Sequence, residues 1–181
     1  MKTIALVGMP GSGKSVVTMH LENRGLKRIY FGDLVLREVA ARGLNLTPDN
    51  ERQAREDLRC SHGMAAMAIL SLPAIRQALK ENSVVIDGLY SFTEYKFLHE
   101  ELGDNLVVLA VVSARALRYA RLAQRPVRPL TLAEAEARDM AEIERIEKGG
   151  PIAIADHTIL NDGTQEALLA MVDGLLPLII N

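Results

Sequence analysis

The chemistry most readily read from this chain lies in Gly8-Met9-Pro10-Gly11-Ser12-Gly13-Lys14-Ser15. Gly8, Gly11 and Gly13 permit backbone conformations closed to other residues, so the stretch from Gly8 through Pro10 and Ser12 to Val16 can wrap a polyphosphate at a helix N-terminus. Lys14 supplies a mobile positive charge for the β- and γ-phosphates, and Ser15 places a hydroxyl where Mg²⁺ bridging those phosphates can be ligated. The loop thus predicts binding of a nucleoside triphosphate together with Mg²⁺.

Other carboxylates and arginines fall where they could complete such a site. Val84-Val85-Ile86-Asp87-Gly88 is an apolar strand delivering a carboxylate at its C-terminal end, where ligands collect in open α/β sheets. Asp87 is the candidate second Mg²⁺ ligand and Gly88 a candidate for close approach of substrate; a strand-ending Asp otherwise serves as a turn cap. Asp33, after Phe31-Gly32, is expected at the same sheet edge, either orienting or deprotonating an acceptor hydroxyl or capping a helix over Leu34–Arg42. Arg37 and Arg59 could clamp an acidic group on the substrate. Residues 105–133 carry Arg115, Arg118, Arg121, Arg125 and Arg128 without a single Asp or Glu. Arg118, Arg121 and Arg125 are spaced to share one helix face and reach a common anion, the plainer reading being a solvated basic face. The four histidines show no shared metal-ligand spacing, and the seven methionines read as core filler.

The elements that must position these groups follow from periodicity. Short β-branched runs occur at Thr3–Val7, Lys27–Phe31, Ser83–Ile86, Asn105–Val112 and His157–Leu160, separated by helix-period stretches. That alternation predicts an α/β fold of three layers, a five-stranded parallel sheet with helices on both faces. Helix starts are marked at Thr47 before Pro48, Ser91 with Glu94, Thr131 with Glu134, and Thr164 after an Asn-Asp-Gly turn. Residues 33–82 are too long for a simple crossover and read as a helical substrate lobe, while 125–148, opening on Arg-Pro-Val-Arg-Pro, read as a short arginine-rich lid. The remainder, 1–32, 83–124 and 149–181, forms the core of a single domain.

Composition narrows the class. The 181 residues are 49% hydrophobic with a formal charge of −2, so there is no global cationic field for a nucleic acid or an anionic membrane. No apolar run approaches membrane-spanning length, and the one cysteine, Cys60, precludes an intrachain disulfide. The expected setting is a reducing cytoplasm and the expected partner a small-molecule phosphate acceptor; oligomeric state is left open.

In motif order the chain resembles the P-loop nucleoside- and nucleotide-kinase superfamily, especially its adenylate-kinase-related and dephospho-CoA-kinase-like members. The resemblance spans nearly the full length: GMPGSGKS, Gly32-Asp33, Asp87-Gly88, Arg118 to Arg128 with Arg138-Asp139, and Ala155-Asp156 leading to Asn161. It implies ATP as donor, lid arginines closing over its phosphates, Asn161 near the adenine, and γ-phosphoryl transfer to an acceptor held between core and lobe. Catalysis would then fall to Lys14, Asp33, Asp87, Arg121 and Arg125, with Arg118 on the nucleotide. Two positions depart from the pattern: Leu89-Tyr90 stand where an arginine usually follows Asp-Gly, and Arg37 follows Asp33 by four residues instead of three. A nucleotide-dependent regulatory ATPase acting through a protein partner is the alternative from a different class. It would lack the Asn-Lys-x-Asp element by which GTP switches read guanine.

Overall fold

The computed structural model describes residues 1–180. Five parallel strands, β1 (Thr3–Val7), β2 (Lys27–Tyr30), β3 (Val84–Asp87), β4 (Leu106–Val112) and β5 (His157–Leu160), form one sheet in the order β2-β3-β1-β4-β5. Each expected strand is present, its ends within a residue of the sequence reading. Alternation along each strand sends side chains to two separate cores. Ala5, Val7, Val84, Ile86, Val108 and Ala110 join one cluster. It also takes residues of α2 (Gly32–Ala41), α3 (Pro48–His62), α4 (Ala66–Ala78) and α5 (Phe92–Leu102). Ile4, Leu6, Val85, Leu109, Val111 and Ile159 join the other, packed on α1 (Lys14–Asn23) and α9 (Gln165–Ile180). With both faces covered, every residue of β1 is buried, which is why TIALV reads as a continuous apolar run.

Caps fix the helix entries that position the site. Thr47 accepts from the Asn50 amide ahead of Pro48, and Ser91 with Glu94 and Thr131 with Glu134 form reciprocal capping boxes. Asp33 differs from expectation: α2 starts two residues sooner, Phe31 holds the cap position, and Asp33 lies in the first turn. There its negative charge still complements the helix N-terminus.

After α6 (Arg115–Gln124) an exposed loop leads into α7 (Leu132–Ile146), followed by the short α8 (Gly149–Ala153). No single described helix is long and apolar enough to cross a membrane. A buried ion pair anchors α7. Arg118 donates to Asp139 Oδ2 at 2.5 Å and Oδ1 at 3.1 Å and to the Pro10 carbonyl at 2.9 Å, so one guanidinium ties α6, α7 and the glycine-rich loop together. Both side chains are at most 9% exposed, and the Tyr119 hydroxyl donates to Asp139 Oδ2. Removing one partner leaves a buried charge unmatched. Arg118→Met or Asp139→Leu alone should therefore lower unfolding stability by about 3–5 kcal/mol, with the double variant recovering much of the loss. Urea unfolding followed by circular dichroism checks this; single losses below about 1 kcal/mol would contradict the anchoring role.

Candidate functional site

The β1–α1 turn places backbone N–H groups at the C-terminal edge of the sheet, beside the end of β3. The turn needs its glycines. Gly8 has φ 145° and a Cβ there would lie 2.3 Å from the Val111 carbonyl oxygen; Gly13 has φ 102° and would meet the Asn161 amide nitrogen at 2.3 Å. Lys14 donates to the carbonyls of Gly8 at 2.7 Å and Met9 at 3.1 Å, curling over the loop that precedes it. Burial, with the neighbouring Lys148 charge second, lowers its pKa to about 7.

Beside the loop opens a cavity of about 350 Å³ whose lining includes Lys14, Arg28, Arg125, Arg138 and Lys148. Five cations thus face one carboxylate on the wall, Asp87, with exposed Ser15 close by. Such a field suits a polyphosphate. Asp87 is delivered by sheet register, paired with Leu6 on one side and Tyr30 on the other, and Arg28 of the edge strand β2 bonds it at 2.6 Å. Ser15 and Asp87 are hard oxygen donors on one cavity wall, the donor set that suits Mg²⁺.

Lys148 is 2% exposed, ion-paired with Glu142, its ammonium 4.8 Å from the Tyr90 ring centroid. Burial lowers the Lys148 pKa and raises that of the Tyr90 phenol. For Glu142, burial alone would raise the pKa, but Lys148 and Arg138 outweigh it and hold the carboxyl below the usual range. At the position where a motif arginine was expected after Asp87-Gly88, a tyrosine thus supports a lysine from the far end of α7.

A second cavity of about 390 Å³ adjoins the first and separates the lobe helices α2–α4 from α7. Tyr30, Tyr90 and Arg138 line both. Its own walls carry Arg52, Arg55 and Arg59 from α3 and Arg145 from α7 over an apolar floor that includes Phe31, Val35 and Met67. The exposed loop reaches α3, where Arg128 pairs with Glu51 at 3.0 Å. A third cavity, about 310 Å³, lies on the other side of the loop and is lined by Gly13, Val16, Arg121, Asn161, Gln165 and Leu168 among others. Here the Asn161 amide donates to the Ser12 carbonyl at 2.8 Å, and Arg121 donates to Ser113 Oγ and the Asn161 carbonyl, each at 3.0 Å. A further cavity of about 420 Å³ opens at the N-terminal ends of β4 and β5 and holds none of these groups.

The structure therefore sorts the sequence-predicted residues. Pro10, Gly11, Lys14, Ser15, Asp87 and Arg125 share the cationic cavity; Gly13, Val16, Arg121 and Asn161 share the third; Arg59 lines the second. Gly88, at φ 108°, leaves room beside the Tyr90 ring. The three arginines expected to share one anion lie in three different surroundings. Arg118, expected on the nucleotide, is withdrawn into its ion pair with Asp139 with three of its five N–H donors engaged, and it lines none of these cavities. Arg121 turns toward Asn161, and only Arg125 faces the cationic cavity. Asp33 and Arg37 are exposed and line none of these cavities. Sequence reasoning did not single out Arg28, Tyr30, Arg55, Glu142, Arg145 or Lys148, and it marked Tyr90 only as a departure from the motif. The spacing of Arg52, Arg55 and Arg59 on one α3 face was a usable signal; the convergence of Arg28 and Lys148 depends on tertiary pairing.

Comparison with known proteins agrees with this geometry. A family model described as AAA domain matches residues 7–147. A UPF0200 protein of Thermococcus gammatolerans is 36% identical over 181 residues, covering 98% of this chain and 95% of its own length. Among solved structures, a shikimate kinase from Bacteroides thetaiotaomicron superposes with a TM-score of 0.60 at 15% identity, covering 97% of this chain and 98% of its own. A dephospho-CoA kinase from Campylobacter jejuni does so with a TM-score of 0.55 at 14% identity, covering 98% and 97%. At that identity the structures show the fold alone, a P-loop kinase fold. With its glycine-rich loop inside the matched AAA domain and its sequence aligned nearly end to end with these relatives, the chain belongs to the UPF0200 family, on a P-loop kinase-related fold.

Proposed function

We propose that this protein is an ATP- and Mg²⁺-dependent small-molecule kinase whose acceptor, nucleotide-like or dephospho-CoA-like, occupies the chamber between the lobe and α7. The observation that carries the reading is the pair of adjoining cavities. One is a cationic cradle at the glycine-rich loop, the other an arginine-bearing chamber, and Tyr30, Tyr90 and Arg138 form their common wall. A protein that only hydrolysed or sensed nucleotide would have no use for a second anion-binding chamber opening onto the first.

In this reading the loop amides and Lys14 hold the donor phosphates, and Lys14 leaves the Gly8 and Met9 carbonyls to do so. Ser15 and Asp87 would hold Mg²⁺, which supplies neutralisation of phosphate charge. Arg125, Arg138 and Lys148 are already aimed at the position where negative charge develops, so little reorganisation is needed during transfer. Arg121, Asn161 and Gln165 receive the base. The chamber lies between α3 and α7, a placement that would limit loss of the phosphoryl group to water with the acceptor bound.

Incubating the protein with ATP, Mg²⁺ and a panel of nucleoside monophosphates and dephospho-CoA should give a phosphorylated acceptor. ATP hydrolysis at a rate indifferent to every acceptor would instead favour a regulatory ATPase. Lys14→Ala should lower kcat by at least about a hundredfold with the melting temperature little changed, since a pre-placed donor to transition-state charge is lost. Arg125→Ala should act mainly on kcat and Arg121→Ala mainly on the KM for ATP; equal effects of both on kcat alone would contradict their placement in separate cavities.

Donor binding should also depend on pH. In the free protein Lys14 loses its proton near pH 7, whereas phosphates beside it raise its pKa, so binding above pH 7 takes up a proton. Affinity should accordingly weaken as pH rises from 7 to 9, by up to about tenfold per unit. Calorimetry at pH 8 in two buffers of different ionisation enthalpy measures the uptake directly. Proton release, or no exchange, would contradict the assignment.

A further inference from the structure

Asp87 is the one carboxylate in the wall of the cationic cavity, and it already has a partner: Arg28 donates from Nη2 to its Oδ2 at 2.6 Å. Sheet register brings the two together. Tyr30 of β2 pairs with Asp87 of β3, so Arg28, two residues before Tyr30, projects from the same face of the edge strand and its long side chain reaches the carboxylate. The Tyr30 ring supports the guanidinium, whose central carbon lies 5.2 Å from the ring centroid.

The contact is incomplete on both sides. One nitrogen bonds one oxygen, and among the described residues Asp87 Oδ1 accepts no hydrogen bond. The Arg28 side chain is 36% exposed, so it can leave Asp87 without disturbing packed core. Its Nε is nevertheless buried and has no hydrogen-bond partner. Buried polar atoms are ordinarily satisfied, so this guanidinium, lining the cationic cavity, is one acceptor short. A phosphate oxygen would supply it.

Asp87 is also the carboxylate assigned above to Mg²⁺, and two cations compete for it. Proteins hold Mg²⁺ through one or two carboxylates together with substrate phosphates and water. Without phosphate, a divalent ion on Asp87 would face Lys14, Arg28, Arg125, Arg138 and Lys148, with Arg28 bonded to the ligand itself. A triphosphate brings enough negative charge to hold both cations.

Resting on the Mg²⁺ assignment within the kinase reading above, we propose that Arg28 is a metal-excluding residue. In the nucleotide-free protein it occupies the Asp87 carboxylate and keeps divalent cations off it. When nucleotide binds, Arg28 exchanges that carboxylate for a phosphate oxygen, and Asp87 becomes available to the metal. A side chain of the protein thus makes metal binding conditional on nucleotide, beyond the share of ligands that the phosphates themselves provide. The plainer role, an ion pair fastening β2 to β3, predicts a loss of stability on removing Arg28 and no gain in metal affinity.

Mn²⁺ binding to the intact protein without nucleotide, read by loss of the free-ion EPR signal, separates the two roles. The wild type should bind Mn²⁺ weakly and Arg28→Met at least about tenfold more tightly, the effect of deleting one cation beside a carboxylate. Arg28→Lys, which keeps the charge, should stay near the wild type, and adding Asp87→Asn to Arg28→Met should abolish the gain. With a non-hydrolysable ATP analogue present, the difference between the wild type and Arg28→Met should shrink. Arg28→Gln, neutral but polar, repeats the measurement if Arg28→Met folds poorly. Binding unchanged or weakened in both neutral variants would overturn the proposal, as would a wild type that binds Mn²⁺ equally well with and without the analogue. Either result alongside acceptor turnover leaves the kinase reading standing. The expected exclusion without turnover of any acceptor overturns the kinase reading and leaves the role of Arg28 intact.

Discussion

Mutual repulsion among cations organises this protein. Lys14, Arg28, Arg125, Arg138 and Lys148 converge on one cavity with a single carboxylate in its wall, and such an arrangement is unfavourable unless the surrounding structure holds it in place. It is held from several directions. The β1–α1 loop carbonyls take the Lys14 ammonium, Glu142 takes Lys148 and Arg138, and Asp87 takes Arg28. Burial first, and the Lys148 charge second, lower the pKa of Lys14. A bound polyphosphate would relieve the repulsion, which is how stored electrostatic strain becomes binding energy.

Helix α7 connects this charge to the rest of the fold. At one point it is pinned to the glycine-rich loop by the Asp139–Arg118–Pro10 chain of contacts. It also contributes Arg138 to both cavities, and Glu142 and Arg145 to the neighbouring chamber. One helix therefore supplies the anchor, the neutralising carboxylate and two of the cations. Movement of α7 would change both cavities together, and the Arg128–Glu51 pair adds a contact between its leading loop and the lobe.

Much of this was legible in the sequence, for identifiable reasons. The five strands, the loop glycines and the capping boxes are local signals, set by β-branched runs, by backbone angles only glycine takes easily, and by Ser or Thr with Glu three residues on. The meeting of the glycine-rich loop with Asp87 at one sheet edge followed from them. The arginine-bearing chamber did not, because it depends on which groups tertiary packing leaves unpaired. Arg118 lies on the same arginine-bearing helix as Arg121 and Arg125, yet Asp139, 21 residues away, consumes it. Lys148 has no motif around it and becomes part of the site only because Glu142 and the Tyr90 ring fix it there. Leu89-Tyr90, which departs from the kinase pattern, is where this different solution enters.

The most direct test of the account is a crystal structure with Mg²⁺ and a non-hydrolysable ATP analogue. The account predicts that Lys14 Nζ leaves the carbonyls of Gly8 and Met9 for the terminal phosphates, that the triphosphate lies in the cavity lined by Arg125, Arg138 and Lys148, and that the base lies beside Arg121 and Asn161. A triphosphate bound elsewhere, or Lys14 still held by the loop carbonyls with nucleotide in place, would contradict it.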